Sequence, residues 1–245
     1  MMQAADHTKL RSQAWRLRLV LFCRELKIRM NTILLRNTRE ADYAAVESLT
    51  REAFWNRYFP GCNEHYLIHV IRCDAAYVRA LDFVAESGGK IIGSIVYTTA
   101  SIIGDDGASH AVLSFGPVSV LPAFQGKGVG SILIEHTIAL AKGLGFGAIL
   151  IYGDPDYYRR FGFVAAQSYG IATADNMYMP ALQALELVGG ALKNIAGRFV
   201  ESEVYNVDAA AANAFDEAFP PKELLGDLPS QVKFRKMLEL RVPRS

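Results

Sequence analysis

Cysteine is scarce in this 245-residue chain, which holds only Cys23, Cys62 and Cys73. An odd number cannot be fully paired within one chain, and no Cys-x-x-Cys spacing occurs. The expectation is reduced thiols in a cytoplasmic protein, not a disulfide framework. No cysteine stands at zinc spacing from a histidine, so no metal is expected. No run of about 18 apolar residues occurs, which argues against a transmembrane segment. Charge of one sign is also lacking: the net value is +1. Nothing in bulk draws the chain to nucleic acid or acidic lipid, and no nucleic-acid partner is expected. There is no internal repeat, and only the alanine-rich stretch at Ala209–Ala214 approaches low complexity.

Apolar and aromatic residues are plentiful. About half of the chain is hydrophobic, with 13 Phe and 11 Tyr. That supports a sizeable core and excludes a disordered chain. The near-neutral total hides an asymmetry: residues 1–29 carry seven Lys/Arg against Asp6 and Glu25, a local +5 that leaves the rest at −4. The leader's apolar patch, Leu17 to Cys23, is interrupted by Arg18 and lacks a small-residue cleavage site, so it makes a poor secretory signal. Two readings stay open: an Arg-rich targeting or membrane-surface segment, or an accessory stretch before a domain that opens near Met30. The expected division is a basic leader at 1–31, disordered or accessory, a main domain at 32–200 and a C-terminal extension at 201–245. Phe215, Phe219, Leu224, Leu225, Phe234 and Leu238 suggest that the extension packs over the sheet or against a partner.

Hydrophobic periodicity gives the element order β-α-α-β-β-β-α-β-α-β, a mixed α/β sheet with its early helices bunched before a meander. Ile33 to Leu35 reads as a short strand, and Thr38 as the N-cap of a helix with acids in its first turn. Glu64 to Cys73 resumes helical spacing after Phe59-Pro60-Gly61. Leu81 to Glu86, Ile91 to Ile103 and Ala111 to Leu121 read as strands joined by turns at Ser87–Lys90 and Gly104–Gly107. Gly116-Pro117 falls inside the third. Proline cannot donate to a ladder, so the strand is expected to bulge or splay there. A helix from Gly128 to Lys142 leads to the buried strand Ala148–Tyr152. A short helix or turn follows from Asp154 to Arg160. Further strands are expected near Phe161–Val164 and between Met177 and Val188.

Between the third strand and the long helix lies Leu121-Pro122-Ala123-Phe124-Gln125-Gly126-Lys127-Gly128-Val129-Gly130. Alternate glycines let backbone N–H groups converge, and the helix start adds free donors and a positive dipole end, an arrangement suited to a diphosphate. The spacing fits neither Gly-x-Gly-x-x-Gly nor a Walker loop, which sets a dinucleotide oxidoreductase aside. Gln125 to Gly130 resembles the Q/R-x-x-G-x-G/A signature of the GNAT N-acetyltransferase superfamily in every specified position. Val118-Ser119-Val120-Leu121-Pro122 resembles the strand and proline that precede it there. Tyr158-Arg159-Arg160-Phe161-Gly162-Phe163 resembles that family's Y-x-x-x-G-F element. The resemblance spans roughly Ile33 to Val188.

The resemblance implies the GNAT fold over 32–200 and direct transfer of acetyl from acetyl-CoA to an unidentified amine, in a monomer or homodimer. It assigns the coenzyme to Val118, Ser119, Val120, Gln125, Gly126, Lys127, Gly128, Val129, Gly130 and Ser131, and implies Tyr158 as the acid for the leaving thiolate, with Tyr157 its rival. Glu64, His65, Glu86 and His110 are candidates for the base, and none is singled out; a water chain can also deprotonate the amine. His136 is expected to face solvent. Phe54, Trp55, Tyr58 and Phe59 form an aromatic set that either packs in the core or receives a cationic amine. Asp154-Pro155-Asp156 either attracts such an acceptor or caps the Tyr157 segment. The alternative function is a coenzyme A-binding module without catalysis.

Overall fold

A computed structural model describes residues 33–244; the basic leader, with Cys23, lies outside the described residues. Strand β1 (Leu34–Asn37) pairs antiparallel with β2 (Phe83–Ser87), β2 with β3 (Lys90–Gly104), and β3 with β4 (Ser109–Val120). The β2–β3 turn takes Gly88 and Gly89 at φ 58° and 77°. Two positive φ angles in succession suit a tight hairpin and explain the paired glycines. β5 (Ala148–Tyr152) lies parallel to β4, and β9 (Leu182–Glu186) runs antiparallel between β5 and β6 (Val164–Ala165). β10 (Gly197–Val200) joins the far half of β3 and pairs with β7 (Ile171–Ala172). β8 (Met177–Tyr178) and β11 (Val242–Pro243) form a separate ribbon.

Strand alternation divides the core between the two faces of the sheet. On one face Ile95, Tyr97, Leu113, Phe115, Ile149 and Ile151 meet Val129, Leu133 and Ile134 of helix α3 (Val129–Gly143). Gly93 makes this approach possible, since a Cβ there would stand 2.9 Å from Val129 Cγ1. On the other face Val84 and Val96 meet Val46 of α1 (Tyr43–Phe54) and Ile68 and Ile71 of α2 (Glu64–Ile71). Among the described residues no helix is long and apolar enough to cross a membrane.

The expected interruption at Gly116-Pro117 is present. Ile95 pairs with Val118 and Tyr97 with Phe115, so β4 carries one extra residue there. Thr38, by contrast, is no N-cap: Arg39 holds that position ahead of a single 3-10 turn, Glu40–Asp42, and α1 begins at Tyr43. The Thr38 hydroxyl donates to Asp82 Oδ1 instead. Asp82 is 1% exposed and also accepts from Arg72 at 3.1 Å and Tyr77 at 2.8 Å. A buried carboxylate needs donors more than an exposed helix start needs a cap. His136 is half-buried, its ring edge-on to Phe83 at 4.9 Å.

Residues after 201 are folded. They contain α5 (Ala209–Asp216) and α6 (Pro229–Glu239), following α4 (Pro155–Tyr158) in chain order. Asp208 caps α5 by accepting from Ala211 N at 2.8 Å. Arg51 of α1, whose side chain is 3% exposed, meets Asp216 at 2.6 Å, and His65 Nε2 lies 2.9 Å from the same oxygen. Phe215 and Phe219 enclose the imidazole. Buried Gln231 donates to Asn56 O at 3.0 Å and Leu225 O at 2.8 Å, and Trp55 Nε1 donates to Glu223 O at 2.8 Å. The residues after 201 are thus fastened to the early helices by the Arg51–Asp216 pair and the bonds of Trp55 and Gln231, with His65 Nε2 close to Asp216 but outside hydrogen-bonding geometry.

Removing one member strands the others. Asp216→Ala should destabilise the protein by about 3 kcal/mol, because Arg51 and His65 stay buried without the carboxylate beside them. Burial alone would raise Asp216, but the Arg51 bond and charge outweigh it and hold the carboxyl low. Burial pushes His65 down against the pull of Asp216. Both depressed values mean that the unfolded chain binds more protons. Stability should therefore fall as pH drops below about 6.5, and again below about 4. Urea midpoints between pH 8 and about 2.5 check both outcomes. An unchanged midpoint in Asp216→Ala would remove the role assigned to this pair.

Candidate active site

The loop after β4 begins with one 3-10 turn, Pro122–Phe124. Gln125 follows in extended conformation, and its side-chain amide donates back to Val120 O at 3.0 Å. Gly126 and Gly128 take φ 72° and 86°. A Cβ at either would meet nothing within 4 Å, so conformation and not space demands glycine there. Gly128 caps α3 without a side-chain bond. Ile132 N reaches Gly128 O at 3.0 Å, and the N–H groups of Val129, Gly130 and Ser131 precede this first helical bond. Lys127 is exposed on the rim, 5.4 Å from the Phe124 ring.

β4 and β5 share one register pair, Leu113 with Ile149. Beyond it the two strands part, leaving one edge of β4 open from 114 to 120. Leu121 N donates to Ile92 O of β3 at 3.0 Å. By alternation Ser119 also turns its backbone to β3, and Val118 and Val120 turn theirs to the open edge. Ser119 is fully buried, and its hydroxyl is taken by Thr50 Oγ1 at 3.0 Å. The open edge of β4 therefore runs directly into the glycine loop.

Tyr158 ends α4, whose start is capped by Asp154 accepting from Asp156 N at 3.0 Å. Its ring lies on Gly153, where a Cβ would come within 2.2 Å of Cε2. Phe115 at 5.9 Å and Phe163 at 5.6 Å flank it. Gly162, at φ 89°, ends the following turn, and buried Phe163 anchors it. Burial raises the Tyr158 phenol above its ordinary range, with Tyr58, Tyr157 and Tyr97 adding to the shift and Arg57 opposing it. The group is thus a hydrogen donor throughout the neutral range. Tyr157 points elsewhere: its hydroxyl would be 3.0 Å from a Cβ on Gly130. One tyrosine addresses the loop and its neighbour the fork.

The other candidates disperse. Glu86 is paired with Arg36 at 2.9 Å on the β1–β2 side. His110 pairs with Ile102 near the far turn of the β3–β4 hairpin. His65 is fully buried, with its Nδ1 3.4 Å from Cys62 Sγ and its other nitrogen at Asp216. Glu64 is half-buried at the start of α2, accepts from Asn63 N at 3.1 Å and is raised by burial to about 7. The aromatic set also divides. Phe54 and Tyr58 lie 5.9 Å apart, with Phe234 of α6 4.7 Å from Tyr58, whereas Trp55 stacks on Arg51 at 4.2 Å and Phe59 is 39% exposed. Asp154 is ion-paired with Lys233 of α6 as well as capping α4. Sequence reasoning named Phe234 as a packing residue without its contact to Tyr58, and missed Lys233 and the contact of Ser114 with Glu201 at 2.8 Å. Each depends on a contact across the fold with no local signal. Among the described residues no group of three or more His, Cys, Asp or Glu is placed to hold a metal ion.

Residues 80–165 match the family model described as the acetyltransferase (GNAT) domain. The chain is 24% identical over 155 residues to the uncharacterized N-acetyltransferase YhbS of Escherichia coli K12, covering 63% of this chain and 90% of YhbS. The crystal structure of E. coli YhbS in complex with CoA superposes with a TM-score of 0.63 over 71% of this chain and 92% of that one. A GNAT family acetyltransferase of Brucella melitensis, solved with acetyl-CoA, is 28% identical, with a TM-score of 0.57 over 72% of this chain and 99% of that one.

The contact of Gly153 with Tyr158 gives a direct check on the fork. Gly153→Ala should cost about 1–3 kcal/mol, since the added methyl overlaps the ring. In the background of Tyr158→Ala most of that cost should vanish. A double-mutant cycle read by thermal or urea melting measures the coupling; additive effects would mean that the ring does not rest there.

Proposed function

Because the chain belongs to the GNAT N-acetyltransferase superfamily, we propose that it moves acetyl from acetyl-CoA to a primary amine of a small molecule or protein, by direct attack in a ternary complex. One observation carries this reading: the open edge of β4, where it parts from β5, continues into a glycine loop and an uncapped helix start. A ligand with an extended amide-bearing arm and a diphosphate matches that continuity.

In this reading the diphosphate takes the N–H groups of Gln125 to Ser131, with the positive end of α3 behind them and Lys127 on the rim. Glycine at 126, 128 and 130 keeps side chains out of its path. The arm lies along β4, its amides pairing with the backbone of Val118 and Val120. Ser119 contributes backbone continuity and a hydroxyl directed to Thr50, away from the coenzyme. This seats the thioester where β4 and β5 separate, beside Tyr158. As the carbon becomes tetrahedral and the C–S bond breaks, Tyr158 donates its proton to the departing sulfur. A phenol held above its ordinary range by burial does not lose that proton beforehand.

The amine approaches from the side of α1, α2 and α6. Tyr58 and Phe234 offer aromatic surface there, and the Asp154–Lys233 pair joins the α4 turn to the extension. The extension therefore shapes the entrance.

The test is thiol release from acetyl-CoA against a panel of primary amines, with calorimetry for coenzyme binding. Tyr158→Phe should lower turnover by about 10²-fold while leaving the acetyl-CoA Kd within about twofold. Gly128→Val forces a branched residue into a left-handed position and should weaken acetyl-CoA binding by about tenfold or more. Binding of acetyl-CoA without turnover on any amine would favour a coenzyme-binding module instead.

A further inference from the structure

We propose that Glu201 is the general base of the transfer, reached by the amine from the face of the sheet opposite Tyr158. This rests on the acetyltransferase reading above.

Glu201 directly follows β10, whose last residue, Val200, pairs with Ser101 of β3. The next position is level with Ala100, which pairs with Val112 of β4. The side chain is thus carried to the height at which β4 leaves β5. Its Oε1 accepts from Ser114 Oγ at 2.8 Å, and Ser114 immediately follows Leu113, the β4 residue paired with β5. Across the opening, Tyr152 closes β5 and feels the Glu201 charge. The carboxylate therefore lies over the face of β4 at the level where β5 departs, on the side of Tyr152.

Strand alternation fixes the side on which it lies. Phe115 points to the α3 face, where it flanks Tyr158. Ser114, its neighbour, points to the face of α1 and α2. The two proton-handling groups thus border the gap from opposite sides. An amine on the α1 side forms its bond to the carbonyl carbon and passes its extra proton to the carboxylate of Glu201. The C–S bond then breaks toward the other side, where sulfur takes the Tyr158 proton. Glu201, half-buried, returns its proton to water, and the Tyr158 phenolate takes one back from water before the next turnover.

Burial raises the Glu201 carboxyl to about 7, against the opposing bond from Ser114. A base of that strength is ionised at mildly alkaline pH and accepts a proton better than an ordinary carboxylate. The titratable groups around it are Tyr152 of β5 and Tyr205, both phenols raised by burial and by Glu201 itself. Beyond Tyr152 stand Asp175 and its partner Arg241, and beyond Tyr205 stands Asp74. Glu64 also sits near 7, but it faces Arg57 and Cys62 of the α1–α2 loop.

The experiment is the pH profile of kcat/KM for acetyl-CoA with a responsive amine, for wild type, Glu201→Gln, Glu201→Asp and Ser114→Ala. Wild type should show an inflection near pH 7. Glu201→Gln should keep its melting temperature and acetyl-CoA Kd, lose about 10²-fold or more in rate at pH 7 and lose the inflection. Glu201→Asp should recover part of the rate. Ser114→Ala should move the inflection upward, because the Ser114 bond lowers the carboxyl pKa. Glu201→Gln within about threefold of wild type, or an inflection that survives it, overturns the assignment and leaves the transferase reading intact. A parallel fall in rate, coenzyme affinity and melting temperature would make Glu201 structural and overturns it equally. A wild type that acetylates no amine overturns the transferase reading, and the base with it.

Discussion

Strands β4 and β5 share one register pair, Leu113 with Ile149, and the site is arranged around the place where they part. A central strand with an unpaired edge has backbone groups that must be satisfied by something. Here the need coincides with an extra residue at Gly116-Pro117, which interrupts β4 while it stays paired with β3 on either side. The proline removes one donor from a strand that already has too few partners. The resulting gap is bordered by aromatic rings on one face and by Ser114, Glu201 and Tyr152 on the other. That edge of β4 is a ladder left unfinished.

The residues after 201 are held on the early helices. That hold runs through buried polar groups: Arg51 and His65 beside Asp216, and Gln231 on the backbone of Asn56. Burying charge is costly unless each member is paired, so such contacts tolerate little displacement. They fix where α6 lies. Phe234 and Lys233, on the next turn of that helix, then reach Tyr58 and Asp154. The width of the entrance is thus set by interactions that do not themselves face the gap.

The parts legible in the sequence are those whose cause is local. Gly88-Gly89 declares its turn because only positive φ angles close it, and Pro117 declares a bulge because it has no N–H to give. Gln125 to Gly130 and Tyr158 to Phe163 read as motifs because each is held by short-range backbone geometry. Thr38 was misread, since its hydroxyl answers a buried carboxylate 44 residues away. The aromatic set at Phe54–Phe59 divided because Trp55 and Tyr58 found partners in the extension. Ser114 and Glu201 are 87 residues apart, and Arg51 and Asp216 are 165 apart. No window along the chain contains either pair. The glycine loop was therefore readable and the contacts made across the fold were not.

That asymmetry follows from what each must do. A diphosphate is the same for every acceptor, so it can be met by backbone N–H groups whose geometry glycine sets within six residues. A proton acceptor must stand opposite the acid, at the level of the fork and on the other face. No residue of β4 or β5 is obliged to be that group. β3 resolves the problem by its length: over 15 residues it pairs first with β2 and then with β10. β10 therefore ends one strand away from the fork, and the residue after it needs to reach only across β3 to Ser114. The carboxylate arrives from a late part of the chain because β10 is the strand that pairs with the far half of β3.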